Sequence, residues 1–189
     1  MTIARQIEQK LSKANLDASV ILILVDVKCY NEATIQLIKY LNAGKKFTGV
    51  YVTVSKPYKT VRSALEVAGV DTRTILFIDA VSGSAEENRS EECVFIGSPQ
   101  DLTGISIAMS EAVKALPAKG RFLLFDSLST LSIHNSAGSV AKFAHFLATN
   151  MRKWEIAGFI VLTDKEKERE LMGQLAQFCD LTLELGGGK

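Results

Sequence analysis

Short apolar runs that alternate with helix-period segments constrain this chain more than any other feature. Val20-Ile-Leu-Ile-Leu-Val25, Gly49-Val-Tyr-Val-Thr-Val54, Thr74-Ile-Leu-Phe-Ile-Asp79, Arg121-Phe-Leu-Leu-Phe-Asp126 and Gly158-Phe-Ile-Val-Leu-Thr163 are nearly continuous in apolar residues. That is the pattern of strands covered on both faces. Weaker strand signals lie at 93–96 and 180–185. Between the runs, apolar residues recur three or four apart, which predicts helices over about 2–14, 31–43, 58–69, 100–116, 136–152 and 165–177. Strict alternation of the two kinds predicts an α/β fold of three layers, αβα, around a mainly parallel sheet. Residues 1–185 read as a single domain and 186–189 as a flexible tail.

Composition narrows the function classes. A net charge of +1 gives no global field to attract nucleic acid or an acidic membrane surface. The run Val20–Val25 is too short to span a bilayer, and residues 1–15 lack the apolar stretch of a signal peptide, so the expected site is the cytoplasm. Cys29, Cys93 and Cys179 are widely spaced and form no C-x-x-C, which fits reduced thiols. His134 and His145 have no neighbours that would make a metal or triad signature. The polar, acidic stretch 80–92 reads as a solvated loop.

The connection after the first strand is where a nucleotide-binding protein of this layout would carry G-x-x-x-x-G-K-[ST], whose backbone amides and lysine hold phosphates. Here it reads Asp26-Val27-Lys28-Cys29-Tyr30-Asn31-Glu32-Ala33-Thr34, without a glycine. Glu32 and Ala33 stand where the last glycine and the lysine would be. Lys28, Lys56 and Lys59 are the cations expected near the same sheet edge, while Asp26 and Glu32 there would repel a polyphosphate. Asp126 ends an apolar strand, the position that holds Mg²⁺ in such proteins. It reads either as a divalent-cation ligand or as a structural acceptor for Ser127, Ser129 or a neighbouring strand end, and the residues favour the second.

Phe122-Leu-Leu-Phe-Asp-Ser-Leu-Ser-Thr-Leu131, the following helix, Gly158–Thr163 and Cys179-Asp-Leu-Thr-Leu-Glu-Leu185 together resemble the RecA/KaiC-type ATPase core, over roughly residues 19–185. Tyr30-Asn-Glu32, Lys56-Pro-Tyr-Lys-Thr60 and Ser98-Pro-Gln-Asp-Leu-Thr103 are similar to a degenerate, archaeal-type KaiC-like subgroup that lacks a phosphate-binding loop. The resemblance implies a RecA-like sheet of the P-loop NTPase type and edge-to-edge association. It also implies an acidic residue after the second core strand to activate water, where this chain has Ser55-Lys56-Pro57. Without that carboxylate and the lysine, phosphoryl transfer should fall by several orders of magnitude.

The expectation is a pseudo-ATPase with no catalytic residues and no cofactor, acting as a protein-interaction or signalling module. Its vestigial nucleotide site comprises Lys28, Cys29, Tyr30, Asn31, Glu32, Ala33, Thr34, Lys56 and Asp126. An unconventional ATP/Mg²⁺ binder or weak ATPase, with Asp126 on the metal, is the alternative. A DNA-repair or recombination accessory protein is a second, disfavoured by dispersed positive charge. The expected partner is a protein or a second copy, with no membrane and no nucleic acid. The contact surface is expected at the carboxyl edge of the sheet, around Lys28, Cys29, Tyr30, Asn31, Ser55, Lys56, Tyr58 and the Ser127–Asn135 turn. Otherwise Tyr30 and Tyr58 pack on neighbouring helices with their hydroxyls in water.

Overall fold

The computed structural model describes residues 1–83, 90–163 and 169–186. Seven strands form one sheet: β1 (Val20–Val25), β2 (Thr48–Thr53), β3 (Ile75–Asp79), β4 (Cys93–Phe95), β5 (Arg121–Asp126), β6 (Ala157–Leu162) and β7 (Leu181–Leu185). Their order is β4-β3-β2-β5-β6-β1-β7, and every pairing is parallel. β1, β2, β5 and β6 are buried along almost their whole length, as the continuous apolar runs require.

Helices cover both faces. α1 (Ile3–Leu11), α2 (Tyr30–Lys39) and α3 (Tyr58–Val67) pack on one face with Ile21, Leu37, Tyr51, Phe77, Leu124 and Phe159 at the core of the contact. α4 (Leu102–Ala115), α5 (Leu128–His134), α6 (Ala137–Lys153) and α7 (Arg169–Leu175) belong to the other, around Leu22, Val52, Leu123, Phe125, Phe143 and Ile160. Burying both faces of a sheet in this way supplies most of the driving force for folding. The packing is close. A Cβ at Gly49 would sit 2.3 Å from the Phe122 ring, so only glycine lets β2 lie against β5 there. No helix among the described residues is long and apolar enough to cross a membrane.

Several boundaries differ from the sequence expectation for identifiable reasons. The helix predicted over 31–43 is α2 followed by a π-helical turn at Tyr40–Gly44. The stretch 127–135 is not a turn but contains α5, with Ser127 as its N-cap and Leu128 and Leu131 buried. It was missed because seven residues, about two turns of helix, are too few to show a period. Of the loop 80–92, residues 84–89 lie outside the described residues. Glu92 is not merely solvated, because its carboxylate accepts from Tyr58 Oη at 3.1 Å and pairs with Arg62. Of the predicted helix 165–177, residues 165–168 lie outside the described residues. Of the tail 186–189, Gly186 is described, and its N–H donates to Gln6 Oε1 at 3.3 Å.

Candidate functional site

The parallel order puts the carboxyl ends of all the strands on one edge, where ligands of open α/β sheets bind. β1 and β5 are separated there by β6 alone. The connection after β1 is not an open loop. Val27–Cys29 makes one 3₁₀ turn that runs straight into α2. Its amides are used locally. Lys28 N–H donates to Asp26 Oδ1 at 2.9 Å, Cys29 N–H donates to Asp26 O at 2.9 Å, and Tyr30 N–H donates to Val27 O. Glu32 adds a negative charge in the first turn of α2, the place where a phosphate would otherwise sit.

Tyr30 reaches from the start of α2 across to the end of β5, where its hydroxyl donates to Asp126 Oδ1. Tyr51 Oη donates to Asp126 Oδ2 at 2.5 Å. Register explains the second contact. Tyr51 pairs with Leu124 across β2 and β5, which makes Tyr51 and Asp126 diagonal neighbours on the same face. Asp126 and Tyr51 are each only 2% exposed. The peptide between Asp126 and Ser127 is cis. Burial raises the carboxyl pKa, opposed by the two phenol hydrogen bonds and by the charge of Lys56. Burial, and then the Asp126 charge, push both phenols well above their ordinary range.

Of the acceptor roles the sequence offered Asp126, the structure has the one toward a neighbouring strand: its carboxylate holds Tyr51 on β2, and Tyr30, and not Ser127 or Ser129. Ser127 Oγ instead accepts from Thr130 N–H at 3.3 Å, and Ser129 Oγ from Thr163 N–H at 2.9 Å. Ser55, where the resemblance implies a catalytic acid, joins a hydroxyl cluster with Thr130 at 2.9 Å and Ser127 at 3.5 Å.

A cleft of about 330 Å³ opens between α2 and α3 over this carboxylate. It brings together five of the residues assigned to the vestigial site: Tyr30, Asn31, Thr34, Lys56 and Asp126. Lys28, Cys29, Glu32 and Ala33 do not line it. Lys28 and Glu32 are exposed, and Ala33 is buried against the sheet-facing cluster. Lys56 Nζ donates to Asn31 Oδ1 and lies 5.2 Å from the centre of the Tyr30 ring. Sequence reasoning missed Tyr51 as a member of the site. Its one signal was a phenol in the middle of a buried strand, and using it required the β2–β5 register.

Tyr58 corrects the expected contact surface. It is 4% exposed, and its ring packs 5.0 Å from Phe77 and 6.2 Å from Phe95, centre to centre. Its hydroxyl is not in water but bonds Glu92 at 3.1 Å and accepts from Arg62 Nη1 at 2.7 Å. The backbone N–H of Tyr58 donates to Asp79 Oδ2 at 2.7 Å, which ties the start of α3 to the end of β3.

The donors present do not fit Mg²⁺–nucleotide. The amides that would wrap a phosphate are consumed, and a cation at Asp126 would share each carboxylate oxygen with a phenol. No group of three or more His, Cys, Asp or Glu able to hold a metal occurs among the described residues.

The buried acids give a signed alkaline prediction. A group whose pKa is raised on folding contributes stability that is lost as pH rises above its unfolded value. Tyr30 and Tyr51 start from 10.0, while Cys93 and Cys179 start from 9.0 and are pushed up by burial to about 12. Stability should fall progressively from about pH 9 upward. Of the four tyrosines, Tyr30 and Tyr51 should ionise only as the protein unfolds. Phenolate absorbance followed alongside thermal melts checks this. All four titrating near pH 10 in the folded protein would contradict it.

Comparison with solved structures finds the same fold. KaiC-like protein PH0186 from the hyperthermophilic archaeon Pyrococcus horikoshii OT3 aligns at a TM-score of 0.63 and 15% identity, covering 90% of this chain and 73% of its own. Uncharacterized protein PH0321 from Pyrococcus horikoshii, in complex with an unknown peptide, aligns at 0.69 and 13% identity, covering 97% of this chain and 84% of its own. Identities this low establish the three-layer RecA-type fold alone. No curated protein sequence matches significantly. A family model does match, over residues 19–185, and by it the chain belongs to the family described as "Family of unknown function (DUF7504)".

Proposed function

We propose that this RecA-type domain performs no phosphoryl transfer and works as a protein-interaction or signalling module, a degenerate KaiC-like domain of archaeal type acting in the cytoplasm. The observation that carries the reading is the fate of the amides after β1: Lys28, Cys29 and Tyr30 N–H all bond within the turn. A phosphate-binding loop works because such amides are free and convergent. At the metal position Tyr30 and Tyr51 each donate to one Asp126 oxygen, and a metal there would compete with both phenols.

What remains at the carboxyl edge is surface. Val27, in the turn after β1, is 67% exposed, and Ile133, on α5, is 78% exposed. α5 lies along this edge, since Asn135 just beyond it donates to Pro99 O at 3.1 Å. Exposed aliphatic residues flanking a closed site suit contact with a protein or a second copy. The peptide described with PH0321 supports peptide binding by a fold of this shape.

Two measurements test the reading. Calorimetry with Mg-ATP should give a dissociation constant weaker than about 100 μM. Micromolar binding abolished by Asp126→Ala would restore the nucleotide-binding alternative. Val27→Asp with Ile133→Asp should leave the melt within a few degrees, because both side chains are solvent-facing. The same pair should weaken self-association seen by light scattering or capture of a purified partner. Unchanged association would move the interface elsewhere.

A further inference from the structure

The cleft between α2 and α3 is not explained by an interaction surface at the sheet edge, because it opens inward to the buried carboxylate. Its walls are mainly aliphatic, with Ile35 from α2 and Val61, Ala64 and Leu65 from α3, beside the threonines Thr34 and Thr60. Its floor is polar but satisfied, with each Asp126 oxygen accepting from one phenol. Lys56 is the one cationic side chain among the lining residues, opposite the Asp126 carboxylate that the phenols hold. Its ammonium has three donors, and the neutral Asn31 oxygen takes one. Among the described residues Lys56 forms no ion pair within 4.0 Å.

These facts select a ligand. A volume of about 330 Å³ is at the small end of ligand pockets. A polyphosphate would meet a single lysine, too little cation for its charge. A cationic ligand would meet Lys56, and the carboxylate it needs is already held by two phenols. A neutral polar ligand would bring no counter-charge to Lys56 and would set much of its surface against the aliphatic walls. A single negative charge on an apolar body matches one lysine on an aliphatic slot. We infer that the α2–α3 cleft binds a small amphipathic monoanion, an organic carboxylate about the size of octanoate, with its head on Lys56 and its body against Val61 and Leu65. This inference does not depend on the interaction reading, which concerns the exposed edge.

The test titrates the full chain with octanoate, octan-1-ol and octylammonium by amide-resolved NMR. Octanoate should bind with a dissociation constant of about 1 mM or tighter and perturb amides of α2 and α3. Lys56→Met should weaken octanoate about tenfold, the scale of one charged hydrogen bond, without weakening octan-1-ol. Ala64→Trp, at the exposed mouth on α3, should exclude both, and a melt close to that of the parent confirms that this variant folds. Three results overturn the proposal: no saturation by octanoate at tens of millimolar, octanoate binding indifferent to both substitutions, or tighter binding of octylammonium. Mg-ATP binding and self-association report on the other reading and are unaffected by any of these outcomes.

Discussion

A Tyr30→Phe, Tyr51→Phe double variant should lose about 3–5 kcal/mol of folding free energy at neutral pH. The two phenols are the donors that solvate the Asp126 carboxylate in a position only 2% exposed. Removing them leaves an ionised group buried without donors, which costs far more than two ordinary surface hydrogen bonds. The sign of the pH dependence follows. With the phenols present the Asp126 pKa is already raised by burial. Without them it must rise further, so the lost stability should be recovered as pH falls toward the unfolded carboxylate value of 3.8. Adding Asp126→Leu should restore most of the loss at neutral pH, because an apolar group of similar size needs no donor. Urea denaturation of the parent, the double and the triple variant at two pH values decides it. A double variant as stable as the parent would mean that the carboxylate does not depend on the tyrosines.

Tyr58→Ala should cost a similar amount, about 3–5 kcal/mol, from the loss of an aromatic ring in a packed core. The ring fills a space bounded by Phe77 and Phe95, and the hydroxyl holds Glu92 and Arg62. For a chain of this length the melting temperature should drop by roughly 6–20 °C. Lys59→Ala, one residue along on the exposed side of α3, should be nearly neutral by comparison. A Tyr58→Ala protein that melts like the parent would return Tyr58 to the surface and to the expected contact face.

Those three tyrosines also mark the limit of what the chain discloses in one dimension. The strand runs were legible because burial on both faces demands continuous apolar residues, and Val20–Val25 and Arg121–Asp126 satisfy that demand locally. The lack of a G-x-x-x-x-G-K-[ST] motif was equally legible, since the stretch 26–34 contains no glycine. The contents of the site were not. Tyr30 and Asp126 are 96 positions apart and Tyr51 and Asp126 are 75 apart, and their meeting depends on strand order and register. Tyr58 is amphipathic, and nothing in its neighbours along the chain tells a core ring from an interfacial one. α5 escaped notice because Ser127 and the serines after it resemble turn residues until Leu128 and Leu131 are seen to face the core.

The strand order also has a consequence in time. β1 is the first strand made, yet both of its neighbours, β6 and β7, are the last. The Val20 amide completes its hydrogen bond with Asp180, 160 positions later. At synthesis rates of about 5–20 residues per second, β1 waits roughly 8–30 s on the ribosome with both edges unpaired. During that interval β2, β3, β4 and β5, which pair among themselves, can form a partial sheet without it. Insertion of β1 between two late strands is then the closing step, and a nascent chain halted before β6 presents an apolar strand of six residues to any chaperone or neighbouring chain within reach.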